Sequence, residues 1–181
     1  MSKNEDVYEN TKKVIELSIK RAGQLGISDI VVASCSGKTA EHLIGCGLDV
    51  TCVTHQVGFK SDDEDEMEKD TRAYLLEKGI KILTTTHLFA GVDRALRMQF
   101  KGVYPSEIVS TTLRMFGQGI KVCVEISIMS ADAGLVKAGK DLIAIGGTGI
   151  GADTSAVISP QHSQNMFNTK IKEIIVKPFD I

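Results

Sequence analysis

Apolar residues recur at Val7, Val14, Ile15, Leu17, Ile19, Ala22 and Leu25, which predicts an amphipathic helix over residues 4 to 25, with Gly26 as its stop. The pattern then becomes a continuous β-branched run, Asp29-Ile30-Val31-Val32-Ala33, as in a strand buried on both faces of a parallel sheet. A loop and a helix from Thr39 to about Cys46 follow. Next come a strand at Asp49 to Thr54, an acidic helix from about Asp65 to Glu77 and a strand at Ile80 to Thr84. Helices are expected from about Ala90 to Phe100 and from Pro105 to about Phe116, the second opened by a proline suited to a first turn. Lys121-Val122-Cys123-Val124 reads as a strand, and Ile126 to Leu135 as its continuation or a helix. Strands at Asp141 to Ile145, Thr154 to Ile158 and Ile171 to Lys177 complete the chain. This alternation predicts an α/β fold, a three-layer α/β/α sandwich around a mostly parallel sheet. Without an internal repeat or linker, residues 1–181 read as one domain.

In open α/β sheets ligands bind beyond the carboxyl ends of the strands, so the residues after each apolar run carry the chemistry. Ser34-Cys35-Ser36-Gly37-Lys38-Thr39 follows the first strand. Thr54-His55 and Gly58 follow the second, Thr85-Thr86-His87 the third, and Gly147-Thr148-Gly149 with Gly151 the strand ending at Ile145. These segments converge on one edge of the sheet and outline a binding cleft.

The first segment has the parts of a phosphate cradle. Hydroxyls supply short donors, Gly37 permits close backbone approach, the next helix offers free N–H groups and its dipole, and Lys38 adds positive charge. The competing reading is that Ser34 or Ser36 caps a helix beginning near Gly37. A P-loop is excluded, because G-x-x-x-x-G-K-[ST] requires glycine where Val32 stands. The glycine cluster is no dinucleotide fingerprint either, since a strand follows it; it is a tight strand connection or a flap over a ligand. His55 and His87 read as hydrogen-bonding residues, with acid or base chemistry as the alternative. The acidic run Asp62 to Glu66 reads as a helix N-terminus rather than a cation site.

Composition narrows the partners. The chain has 43% hydrophobic residues and a formal net charge of -2, with no basic excess to neutralise nucleic-acid phosphates. Its opening residues, Met1 to Asp6, are polar and lead into no signal-like apolar region. No apolar run approaches the roughly 20 residues that span a bilayer. Neither nucleic acid nor membrane is expected as a partner, and the expected location is cytoplasmic. Cys35, Cys46, Cys52 and Cys123 form no C-x-x-C pair and read as reduced thiols, with no metal site.

Three stretches resemble the C-terminal α/β domain of pyruvate kinases. They are Ile30 to Ala40, Arg94-Ala95-Leu96 leading to Gly102-Val103-Tyr104-Pro105, and Gly134 to Gly147 continuing through Gly149-Ile150-Gly151. The resemblance implies that the loop from Ser34 to Thr39 holds a phosphate and the final glycine loop closes over the ligand. It further implies a helix for much of Ile126 to Leu135 and an antiparallel strand near Thr154 to Ile158. Residues from about Asp49 to Gly79 look like an extra strand-helix unit, and the tail after Pro160 extends beyond the likeness. No catalytic barrel is present in these residues, so pyruvate kinase activity is not expected.

The expected ligand is a small-molecule phosphate ester of nucleotide type, with flavin mononucleotide (FMN) the first candidate, since Gly- and Thr-rich segments can line a flat ring beside one phosphate loop. Two alternatives stay open. One is a small enzyme acting on a phosphorylated metabolite with His55 or His87 as acid or base. The other is a non-catalytic sensor of a sugar-phosphate effector acting through a partner or a homo-oligomer interface.

Overall fold

The computed structural model describes residues 3–179; Met1 and Ser2, the first of the polar opening residues, lie outside the described residues, as do Asp180 and Ile181. The chain runs α1 (Lys3–Leu25), β1 (Asp29–Ala33), α2 (Lys38–Glu41), β2 (Asp49–Val53), α3 (Lys69–Glu77) and β3 (Lys81–Leu83). It continues with α4 (Gly91–Phe100), α5 (Pro105–Arg114), α6 (Gln118–Asp132), β4 (Leu142–Gly146) and β5 (Thr154–Ser159). A 3-10 segment at Ser163–Asn168 leads into β6 (Lys170–Val176).

The six strands form one sheet in the order β3-β2-β1-β4-β5-β6. β3, β2, β1 and β4 are parallel, whereas β5 and β6 return antiparallel. The sheet is sealed on both sides, as the unbroken apolar runs predict. Side-chain alternation divides β1: Ile30 and Val32 pack with Val14, Ile15 and Ala22 of α1 and Leu75 of α3 on one face. Val31 packs on the other with Ile120, Cys123, Val124 and Ile128 of α6. Ile30, Val31, Val32, Ile143 and Ile145 are fully buried, each contributing about 1.5–3 kcal/mol of transfer free energy. The three-layer sandwich is thus present, with α1, α2 and α3 opposite α6.

Several elements differ from their expected form. Lys121 to Val124 is helix, the second turn of α6, not a strand. Residues 119–131 are buried almost throughout, and a stretch buried all round shows no stripe that would separate helix from strand. The helix implied for Ile126 to Leu135 therefore starts earlier, at Gln118, and ends at Asp132. The helix expected from Thr39 to Cys46 stops after one turn at Glu41, as Gly45 and Gly47 turn the chain with positive φ. The acidic helix begins at Lys69 rather than Asp65, because the Asp65 carboxylate accepts the Met67 amide (3.0 Å) and holds a local turn there. Among the described residues no helix is long and apolar enough to cross a membrane. Helix α4 buries no side chain, and Val92, Met98 and Phe100 on it are exposed.

Helix α6 approaches the sheet at two glycines. A Cβ on Gly146 would lie 2.9 Å from the Gly119 carbonyl oxygen, and one on Gly119 would overlap the Thr154 side chain. Gly119→Ala is accordingly expected to lower stability by about 1–3 kcal/mol through overpacking, read from the urea midpoint at constant slope. An unchanged midpoint would mean that the helix can slide away from β5.

Candidate functional site

The strand order sets the position of the site. From β1 the chain steps outward to β2 and β3, then returns past β1 to place β4 on its other side. The loops leaving the carboxyl ends of β1 and β4 therefore diverge and open a crevice between them, the ordinary ligand position in such sheets. A cleft of about 800 Å³ lies there, lined by Ser34, Cys35, Ser36, Lys38 and Thr39 from one loop and Gly147 to Gly151 from the other. Its size suits a cofactor-sized ligand.

In the first loop the Ser34 hydroxyl is buried and accepts the amides of Thr39 (3.1 Å) and Ala40 (3.4 Å). Ser34 is thus a helix cap, and its oxygen is occupied by the chain itself. The amides of Ser36, Gly37 and Lys38 donate to no group among the described residues. Gly37 is required for a local reason rather than for ligand approach: its φ is 88°, and a Cβ would lie 2.7 Å from Thr71 Cγ2 and 3.1 Å from Leu75 Cδ1. Ser36 and Lys38 are exposed toward the cleft they line.

The second loop is a strand connection, as one of the two sequence readings has it, and it also lines the cleft. It joins antiparallel β4 and β5, with Asp153 N–H bonded to the Gly146 carbonyl (3.1 Å). Ala152 N–H donates to Thr11 Oγ1 of α1 (2.9 Å), so the loop is tied to that helix. The Gly149, Ile150 and Gly151 amides also donate to no group among the described residues. Tyr8 and His42, with ring centroids 5.2 Å apart, supply aromatic surface on the same cleft.

A second cavity of about 440 Å³ adjoins the first, and Cys35, His55, Gln118 and Val122 line both. Here Thr54 and His87 join His55, while Arg94, Arg97 and Arg114 come from α4 and α5. Its floor carries a buried ion pair, Lys121 with Glu125, one turn apart on α6. Glu125 also accepts the Phe89 amide (2.9 Å), which satisfies the other carboxylate oxygen. Burial holds the His87 imidazole below its usual pKa, and the Lys121 ammonium acts the same way against the opposing Glu125. His87 is therefore a neutral ring at pH 7. Burial likewise pushes the Cys35 thiol up.

The expected residues are partly united. Ser34 to Thr39, His55, Gly147, Thr148, Gly149 and Gly151 meet at or beneath one cleft, and Thr54 and His87 line its neighbour. Thr54 spends its hydroxyl on Thr84 Oγ1 (2.7 Å) and the His55 carbonyl (2.8 Å). Gly58 lines neither cavity; its amide closes a turn onto the carbonyl of Glu64 (2.9 Å), which does line the larger cleft. Thr85 and Thr86 are exposed and line neither cavity, because β3 ends at Leu83 and the chain turns away. Lys121, Glu125 and Glu66 were not anticipated. The i, i+4 pairing of Lys121 with Glu125 inside an apolar run was the available signal for the first two.

Removing one partner of that pair strands a buried charge. Lys121→Met is expected to cost about 3–5 kcal/mol in urea unfolding. Adding Glu125→Leu should recover all but the about 1–3 kcal/mol of an orphaned Phe89 amide. A single-variant loss under about 1 kcal/mol would show that cavity water already screens the pair.

Two crystal structures of pyruvate kinase from Cryptosporidium parvum are similar to this chain at 12% identity, with TM-scores of 0.41 and 0.40. They cover 81% and 82% of this chain but only 22% of their own length. The family profile described as pyruvate kinase, alpha/beta domain, matches residues 12–158, which leaves β6 beyond the match. With the match running from within α1 to the end of β5, this protein belongs to the pyruvate kinase alpha/beta domain family.

Proposed function

We propose that this protein binds a phosphorylated small molecule of nucleotide type in the 800 Å³ cleft, with FMN the first candidate. The observation that carries the reading is the pair of loops at the switch point. Each lines the same cleft, and each has three backbone amides with no partner among the described residues. Amides of that kind, next to the exposed Lys38 ammonium, suit an oxyanion. The remaining volume, with Tyr8, His42 and Val122 on its walls, suits a ring system attached to the phosphate. The four free thiols fit a reducing compartment, and we place the protein in the cytoplasm. The exposed apolar side chains Val92, Met98 and Phe100 of α4 support self-association through that helix.

A second reading, a small enzyme acting on a phosphorylated metabolite, is favoured by the adjoining cavity. There the neutral His87 ring stands beside the buried Lys121–Glu125 pair, a setting suited to proton transfer. His87→Ala that keeps ligand affinity but abolishes turnover would favour it.

For the leading reading, the visible spectrum of the purified protein and the mass of any heat-released ligand test the flavin directly. Colourless protein that binds no added flavin excludes FMN. Lys38→Glu is expected to weaken FMN binding at least tenfold, in line with about 1.5–3 kcal/mol for a charge-assisted hydrogen bond, and to leave riboflavin within twofold. Equal losses for both would reduce the loop to a helix cap.

A further inference from the structure

We propose that Cys35, His55 and Glu66 form a three-ligand site for a divalent transition metal of the zinc class, with its fourth position open to the ligand cleft. One ligand atom from each residue lies within 4.8 Å of the other two. The three come from different segments: Cys35 after β1, His55 after β2, and Glu66 from the loop before α3. The sequence pattern alone gave no metal site, and it placed Glu66 in a helix N-terminus. Folding separates that glutamate from the rest of the acidic run, half-buries it and sets its carboxylate 2.5 Å from His55 Nδ1.

The cluster is held by its surroundings. The His55 ring stacks on Phe59 with centroids 4.0 Å apart. Glu66 sits between two anchored neighbours: Asp65 is tied to Arg72 (2.6 Å), and Met67 is 2% exposed in the core. Ligands fixed in this way need little reorganisation to bind.

The donor set selects the ion. A thiolate and an imidazole with one carboxylate favour zinc-class metals over magnesium or calcium, which take oxygen donors. Bond lengths of roughly 2.0–2.3 Å in a tetrahedron put ligand atoms about 3.3–3.7 Å apart. Metal entry would spread His55 Nδ1 and the Glu66 carboxylate from their present 2.5 Å to that spacing, the metal replacing the hydrogen bond between them. Metal entry forms three bonds and releases one proton, from the Cys35 thiol. The proton that His55 Nδ1 holds toward the Glu66 carboxylate moves to Nε2 through solvent, so Nδ1 is free to bind the metal and Glu66 enters as a carboxylate. Three protein ligands and one open position are the arrangement of reactive rather than purely structural zinc. Cys35 and His55 line both cavities, so the open position faces the junction between them, where a water or an oxygen of a bound anion would complete the tetrahedron.

The test uses the full chain, stripped with chelator and titrated with cobalt(II) alone, so its outcome is independent of the phosphate reading. A saturating 1:1 thiolate-to-cobalt charge-transfer band is expected, displaced stoichiometrically by zinc. Cys35→Ser should abolish the band. His55→Ala and Glu66→Gln should each weaken zinc binding at least tenfold while the melting temperatures of the metal-free variants stay near that of the parent. Absence of the band in the parent protein, or a band that survives Cys35→Ser, overturns the site. Zinc affinity within twofold of the parent in both His55→Ala and Glu66→Gln does so as well.

Discussion

Strand β1 lies between β2 and β4 with its central side chains sealed on both faces, and the rest of the molecule follows from that burial. Three consecutive residues, Ile30, Val31 and Val32, have no exposed surface. Parallel neighbours cannot be joined by a hairpin, so each crossover must carry the chain back over a face of the sheet. Of the crossover helices, α3 covers β1 on one side and α6 on the other, and α1, which precedes the sheet, completes the cover on the α3 side. All the loops that follow the parallel strands then fall at one edge.

At that edge the turn of direction between β1 and β4 creates the crevice, and local packing decides what each loop can offer. Ser34 caps the single turn of α2 with its own hydroxyl, which leaves the exposed groups of Ser36 and Lys38 to face the cleft. The opposite loop is pinned to α1 through Thr11, so the long first helix contributes to the cleft without belonging to the sheet. The close approach of α6 at Gly119 and Gly146 brings Gln118 and Val122 to both cavities and Lys121 to the smaller one. Small residues at that contact thus position polar ones. Lys121 and Glu125 remain tolerable in a buried helix because each neutralises the other and the Phe89 amide takes the spare oxygen.

The fold class and the position of the loop after β1 were legible because their signals are local. A β-branched run such as Ile30 to Val32 specifies a doubly buried strand from its own composition, and Ser34 to Thr39 carries its turn and cap chemistry within six residues. The glycine loop was legible for the same reason. Lys121 to Val124 was misread because a segment buried on every side has lost the periodicity that distinguishes 3.6 residues per turn from 2. Thr85 and Thr86 were placed in the cleft by extending β3 one residue too far, whereas the strand ends at Leu83.

By itself, the sequence determined the order of elements, the two-faced burial of the parallel strands and the loop at their edge that is rich in donors. Each of these depends on neighbours a few positions apart. Only the tertiary structure decided which distant groups share the site. It set Glu66 against His55 from separate loops, joined Lys121 to the same cavity as His87, and put Thr11 under the glycine loop. Those meetings are set by how helices pack across the sheet, a property of summed contacts between segments far apart in the chain, which no local pattern of residues encodes.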